Sequence, residues 1–173
     1  GSSETGLRFA EIAIWPNAST RVFLRYDDGL SRDNAALAAA DRDVALKSAG
    51  AYRRWNERLG TLLEIGSRSY PGGVDQEIYR VEQSFYMDRG YEAKLGGWYG
   101  PRDGGNSEWL AYVGGAIPFG ESTRFEPTFF YSQNGLPGGE EWRLLLAANH
   151  RVGSDWEFSG GVAGGRAHVA GID

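Results

Sequence analysis

From residue 7 onward, apolar and polar residues alternate along segments of about ten residues, and each segment ends in a chain reversal. A period of two is that of a β-strand with one apolar and one polar face. The pattern predicts ten strands, at 7–15, 20–27, 43–55, 59–69, 77–87, 91–99, 108–119, 123–132, 141–151 and 155–164. We therefore expect an all-β, antiparallel, up-and-down meander, with helix confined to the alanine-rich segment 34–42.

The turns between these strands predict their register. The turn at 88–90 is a three-residue loop that ends in glycine, which closes a hairpin when the glycine is left-handed. It sets Phe85 opposite Ala93 on an apolar face and Glu82 opposite Gly96 on a charged face. The turns at 16–20, 120–122 and 152–154 also predict registers that place apolar residues on one face and polar or charged residues on the other. The turn at 56–58 instead places Arg53 among apolar residues, so the faces of the 43–55 strand stay unassigned.

Alternation alone does not say which face lies inside. A soluble barrel buries its apolar face, whereas an outer-membrane barrel turns that face to lipid and keeps a polar interior. Charges of both signs on the polar face favour the second arrangement. The connections at the two ends of the strands also favour it, because they differ in length. Tight turns join the strands at one rim, and longer loops at 27–43, 70–76, 100–107 and 133–140 join them at the other.

Aromatic residues near strand ends on the apolar face also favour a membrane, since such residues form interfacial girdles. They are Tyr91, Tyr99, Phe119, Tyr131, Trp142 and Trp156. The sequence thus predicts a transmembrane β-barrel with its apolar face toward lipid.

The polar face supplies the candidate site, because its side chains would line the interior. They are Glu11, Arg25, Glu64, Arg68, Arg80, Glu82, Glu92, Lys94, Trp98, Arg124, Glu126, Arg143 and Glu157. In one interpretation these groups form ion pairs that plug a narrow barrel. In the other they line a conduit whose selectivity they set. Ten strands favour the plug, because so small an interior holds only side chains. Additional strands would make room for a conduit.

Composition narrows the possible functions. The 173 residues show no compositional boundary, so we expect a single domain over 1–173. There is no cysteine and therefore no thiolate metal site. A net charge of −5 argues against a nucleic-acid partner. The acidic segment Asp27–Asp43 lacks EF-hand spacing and is interpreted as a surface loop, so no cofactor or metal is expected.

The two histidines, His150 and His168, are poorly placed for catalysis. A barrel hydrolase needs histidine beside a serine or a carboxylate at the outer rim. By the register that pairs Ala148 with Phe158, His150 pairs with Trp156 on the apolar face beside a tight turn. We therefore expect no enzymatic activity.

The chain resembles bacterial outer-membrane β-barrels. Residues 20–34, the segment Glu-Ile-Gly-Ser-Arg at 64–68 and the segment Leu-Gly-Gly-Trp-Tyr-Gly-Pro-Arg at 95–102 are most similar to YaiO-type barrels. That resemblance implies a bacterial outer-membrane location, contact with the lipid bilayer, and association with tetratricopeptide-repeat proteins of exopolysaccharide or cellulose secretion, including periplasmic or inner-membrane components. It implies a porin-like conduit that exports a polysaccharide or passes small solutes. The alternative is a structural or receptor barrel with a plugged lumen, whose external loops bind a partner.

The topology adds one expectation. If the tight turns are periplasmic, the first strand begins and the last strand ends at the extracellular rim. An unpaired edge in lipid leaves backbone groups without partners at a cost of several kcal/mol each. We therefore expect unpaired edges at the 7–15 and 155–164 strands, and at least one further strand of a larger barrel beyond each.

Overall fold

The structure, a computed structural model, describes residues 9–27, 45–70, 74–101, 107–133, 139–153 and 156–168. Its strands are β1 (Phe9–Asn17), β2 (Thr20–Asp27), β3 (Ala45–Asn56), β4 (Leu59–Tyr70), β5 (Val74–Tyr86), β6 (Glu92–Gly100), β7 (Glu108–Phe119), β8 (Thr123–Gln133), β9 (Glu140–Val152) and β10 (Trp156–His168). They form one antiparallel sheet in the order β1 to β10. The all-β, up-and-down fold is confirmed. The segment 34–42 lies outside the described residues.

Two strands extend three or more residues beyond a predicted end. β5 begins at Val74, which pairs with Tyr70, so the expected loop at 70–76 shortens to 71–73. β10 continues to His168, four residues beyond the predicted end at Gly164. Small residues hide the alternation in this strand, while backbone pairing with β9 goes on.

The hairpin registers largely agree with the turns. Phe85 faces Ala93 and Glu82 faces Gly96, as predicted from the turn at 88–90. Arg89 and Gly90 both take left-handed conformations there, with φ of 62° and 81°. Arg53 does lie on the apolar side of β3, where its guanidinium stacks 4.5 Å from the Trp55 ring.

The register predicted for the turn at 152–154 is wrong by two residues. Ala148 pairs with Gly160, and His150 pairs with Phe158. β9 extends to Val152, so the left-handed residue Gly153 opens the connection, with φ of 67°. The faces are nevertheless unchanged, since a shift of two residues preserves side-chain direction.

The two faces of the sheet differ sharply in exposure. The apolar face is the exposed one, as Leu95 at 58% illustrates, and the charged face is the buried one, with Glu64 at 5%. The apolar positions predicted to point outward are all exposed: Val81, Phe85, Leu95, Val113, Phe129, Leu144 and Phe158. The sheet therefore buries its charges and exposes its hydrophobic side chains, the reverse of a soluble sheet protein.

The strands are staggered along the sheet. Register partners lead from Ile12 of β1 through Leu24, Ala49, Ile65, Tyr79, Tyr99, Trp109, Gln133 and Glu140 to His168 of β10. Ile12 is near the middle of its strand, whereas His168 is the last residue of β10. The exposed apolar residues of β10, Phe158 and Val162, lie well before that end. The apolar band therefore crosses the strands obliquely, as it does when strands tilt within a barrel.

On the buried face, aromatic rings pack over glycines of neighbouring strands. A methyl group at Gly96 would lie 2.5 Å from the Tyr112 ring and 2.9 Å from the carbonyl oxygen of Val81. At Gly50 it would overlap the Phe23 ring. Only a residue without Cβ leaves room for these rings, and so Gly96 positions the polar end of Tyr112.

We expect Gly96→Ala to lower the free energy of unfolding by about 1–3 kcal/mol, because overpacking displaces the ring and the backbone. The control is Gly164→Ala on β10, where an added methyl group meets no atom within 4 Å. Urea unfolding in detergent micelles, followed by tryptophan fluorescence, measures both. Equal stability of the two variants would contradict the close packing of Tyr112 on Gly96.

β1 and β10 are the edges of the sheet. Within the described residues β1 pairs only with β2 and β10 only with β9. The expected unpaired edges are thus confirmed, and the further strands remain a prediction.

Candidate functional site: the charged inner face

The sequence-predicted site residues share the buried face of the sheet, which we call the inner face. Their side chains come from β1, β2, β4, β5, β6, β8 and β9. Glu157 lies on β10 opposite Arg151, and its side chain is outside the described part of the structure. The structure joins most of them into two groups of ion pairs, while Arg68 packs against Trp98 and Arg143 pairs with Glu141.

The larger group, here the Glu64 network, consists of Glu11, Arg21, Arg25, Ser48, Glu64, Arg80, Glu82 and Tyr112. At its centre the Glu64 carboxylate accepts a hydrogen bond of 2.5 Å from the Ser48 hydroxyl. The guanidinium groups of Arg25 and Arg80 lie 3.7 and 3.5 Å from the same carboxylate. Glu64 on β4 is thus held by side chains from β2, β3 and β5.

The Glu64 network continues to both sides. Arg25 reaches back 3.1 Å to Glu11 on β1. Arg80 lies 3.1 Å from Glu82 and donates a hydrogen bond of 3.1 Å to the Tyr112 hydroxyl, which itself donates to Glu82. Contacts therefore run without a break from β1 to β7. The carboxylates and guanidinium groups of the Glu64 network are equal in number, which satisfies the requirement that buried charges be paired.

The second group, here the Glu92 cluster, consists of Glu92, Lys94, Arg124, Glu126 and Asn149. Arg124 donates to Glu92 across β7, and the Lys94 ammonium lies 3.5 Å from the same carboxylate. Arg124 also lies 3.2 Å from Glu126, which accepts a hydrogen bond of 2.7 Å from Asn149. The buried Glu92 carboxylate thus forms ion pairs with two cations.

Toward the loop rim, Arg68 stacks over the Trp98 ring, with its guanidinium carbon 4.7 Å from the ring centroid. Both side chains are buried. Trp98 therefore forms a packed cation–π pair and offers no open ring face on which a sugar could stack. Arg143 donates to Glu141 on the same strand.

Sequence reasoning missed three members of the Glu64 network, namely Arg21, Ser48 and Tyr112, and it also missed Glu141, the partner of Arg143. A signal for Arg21 was available, because it shares the alternation of Arg25 on β2. Tyr112 is in register with Gly96 across β6 and β7, and so it falls on the face of Glu82. Its phenol was missed because a tyrosine in an alternating strand is as easily an outward aromatic residue.

The inner face is filled unevenly. A cluster of large apolar side chains is buried on β5 to β8, where Ile78, Trp98, Leu110, Tyr112 and Phe130 pack together, and Phe23 is buried separately on β2. The inner positions of β10 carry small residues instead, and they are exposed: Ser159, Gly161, Ala163 and Gly165. Open space therefore adjoins the inner face beside Ser159 and Ala163, whereas a methyl group added at Gly161 or Gly165 would crowd β9.

On the exposed apolar face of the sheet, here the outer face, aromatic side chains lie on both sides of a band of aliphatic residues. Toward the tight turns the exposed aromatics are Trp55, Tyr91, Phe119 and Trp156. Toward the loops they are Tyr79, Tyr99 and Trp142, with Trp109 and Tyr131 in tilted contact at 5.5 Å. The exposed aliphatic residues between them include Ile65, Leu95, Val113 and Leu144.

No protein-family model, curated protein or solved structure matches the chain. Within the described residues, His, Asp and Glu side chains form no group of three that could hold a metal ion. The same part of the chain has no helix of the length and hydrophobicity needed to cross a membrane.

Proposed function

We propose that this chain forms the wall of a transmembrane β-barrel in the bacterial outer membrane, and that the barrel is a conduit for export of a polysaccharide or passage of small solutes. The observation that carries the proposal is the inverted sheet, with hydrophobic side chains exposed on one face and paired charges buried on the other. Lipid is the solvent in which such an exposed face is favourable.

The outer face supports the membrane part of the proposal. Its aliphatic middle matches hydrocarbon, and the aromatics at both ends suit the two interfaces, where amphipathic rings concentrate. Arg53 beside Trp55 suits the same interface, because a long basic side chain reaches toward headgroups.

The stagger supports the barrel part. An oblique apolar band becomes level with the membrane once the strands tilt, and tilt with a staggered register is the condition for closing a sheet. The ten strands would then contribute a continuous arc of wall, with β1 and β10 as its lateral edges.

The proposed path runs beside β8 to β10. The small inner residues of β10 leave space there, next to the partly exposed cation Arg124. The Glu64 network lies on β1 to β7, where its buried ion pairs join neighbouring strands.

The experiment changes the size of one inner residue. We expect Ala163→Trp to reduce single-channel conductance in planar bilayers, because Ala163 points into the proposed path. The matched control is Val162→Trp, the adjacent outward residue, which should leave conductance unchanged. Equal conductance in both variants would contradict a path along β10.

A second function is favoured by the Glu64 network itself. A barrel crossed by an unbroken set of ion pairs is plugged when it is narrow, and its external loops can then bind a partner. Absence of conductance in the intact protein, folded in the same bilayers, would favour this structural or receptor function over a conduit.

A further inference from the structure

We infer that the conduit prefers anions, and that its cargo is a polysaccharide bearing carboxylate groups. This inference rests on the proposed function and gives it a substrate class. It comes from the depth at which charges of opposite sign lie on the inner face.

Among the described ion pairs, the most exposed groups are all cations. Arg124 is 42% exposed, Lys94 is 35% exposed and Arg21 is 29% exposed. No carboxylate in these pairs is more than 20% exposed. At these three positions the basic group covers a less exposed acid, whereas Arg25 and Arg143 are slightly less exposed than their partners Glu11 and Glu141.

The Glu92 cluster shows the arrangement most clearly. Its central carboxylate, Glu92, is 6% exposed and is covered by Lys94 and Arg124. The second acid, Glu126, accepts a hydrogen bond from Asn149 and so faces a polar partner on β9. A solute beside β8 therefore meets an ammonium and a guanidinium group before either carboxylate.

Depth matters because electrostatic interaction falls with distance and is screened by water. In the Glu92 cluster the charges of opposite sign are equal in number, yet Lys94 and Arg124 are closer to the passing solute than the Glu92 carboxylate behind them. The inner surface therefore carries a positive potential on its open side. Side chains that line a pore set its ion preference in this way.

A carboxylate-bearing glycan fits this surface better than a neutral one. Guanidinium groups bind carboxylates through two parallel hydrogen bonds, and ammonium groups bind them as point charges. Several weak contacts of this kind would guide the chain without holding it, which transport requires.

The test measures the reversal potential of the intact protein in planar bilayers under a potassium chloride gradient. We expect anion preference in the wild type and a shift of the reversal potential toward the cation side in Lys94→Gln. This variant keeps Arg124 on Glu92, so the buried acid stays paired. The matched control, Arg53→Gln, removes the same charge from the outer face and should not shift the potential.

A second measurement compares block of the current by two probes of equal length, an oligogalacturonate and a neutral malto-oligosaccharide. We expect the acidic probe to block at lower concentration, and Lys94→Gln to weaken that block. Cation preference, or equal block by both probes, would overturn the anionic cargo and leave the conduit standing. Absence of any current would overturn the conduit and this inference together.

Discussion

Replacing Glu64 with alanine is expected to lower the free energy of unfolding by about 3–5 kcal/mol, the cost of removing one partner from a buried ion pair. Glu64 is the carboxylate shared by Arg25 and Arg80 and by the Ser48 hydroxyl. Without it, two guanidinium groups remain near each other on the buried face with one acid fewer between them.

The measurement is urea unfolding of the protein refolded into lipid vesicles. The matched control is Glu121→Ala, which removes the same charge from an exposed turn and should change stability by less than about 0.5 kcal/mol. A further variant, Glu64→Met with Arg80→Met, should recover part of the loss, because apolar replacements remove the desolvation cost as well as the pairing. A Glu64→Ala protein as stable as the Glu121→Ala protein would refute the Glu64 network as a stabilising unit.

Introducing arginine at Leu144 is expected to cost about 2–4 kcal/mol of folding free energy in a bilayer, the range for a basic side chain on the lipid face near the midplane. Leu144 is exposed on the outer face and is in register with Phe129, which is in register with Val113. The position is therefore within the apolar band, two residues from Trp142 on the side away from the loops.

Ser67→Arg is the control for Leu144→Arg. Ser67 points outward in a polar row with Lys47 and Glu77, beyond the apolar band, and an arginine there should be tolerated. Folding into vesicles, assayed by protease protection across a urea series, separates the two variants. If both fold equally well, the outer face does not contact lipid and the membrane proposal fails.

Much of the fold follows from short stretches of chain. The turn at 88–90 requires a left-handed glycine, and this local requirement fixes which residue of β5 faces which residue of β6. Where the turn chemistry is ambiguous the prediction fails, as at 152–154, since glycine at 153 can either end or open the connection. The end of β10 was missed for a related reason, because small residues give no alternation to follow.

The residues of the candidate site could be predicted from the sequence, but the contacts between their side chains could not. The alternation of side chains along each strand places Glu64, Arg80 and Glu92 on one face. It does not predict that Arg124 reaches across β7 to Glu92, or that Tyr112 bridges Arg80 and Glu82. Those contacts depend on side-chain length and on the curvature of the sheet. The burial of the charged face likewise depends on curvature, and only the three-dimensional structure shows it.

The order of strands has an evolutionary consequence. Within the described residues, every strand pairs only with its neighbours in sequence. A hairpin can therefore be duplicated or lost by a single genetic event without disturbing the pairing of the strands that remain, provided that its length keeps the apolar residues on the same face. The hairpin is therefore the smallest segment by which this sheet can gain or lose strands while every remaining strand keeps an antiparallel neighbour.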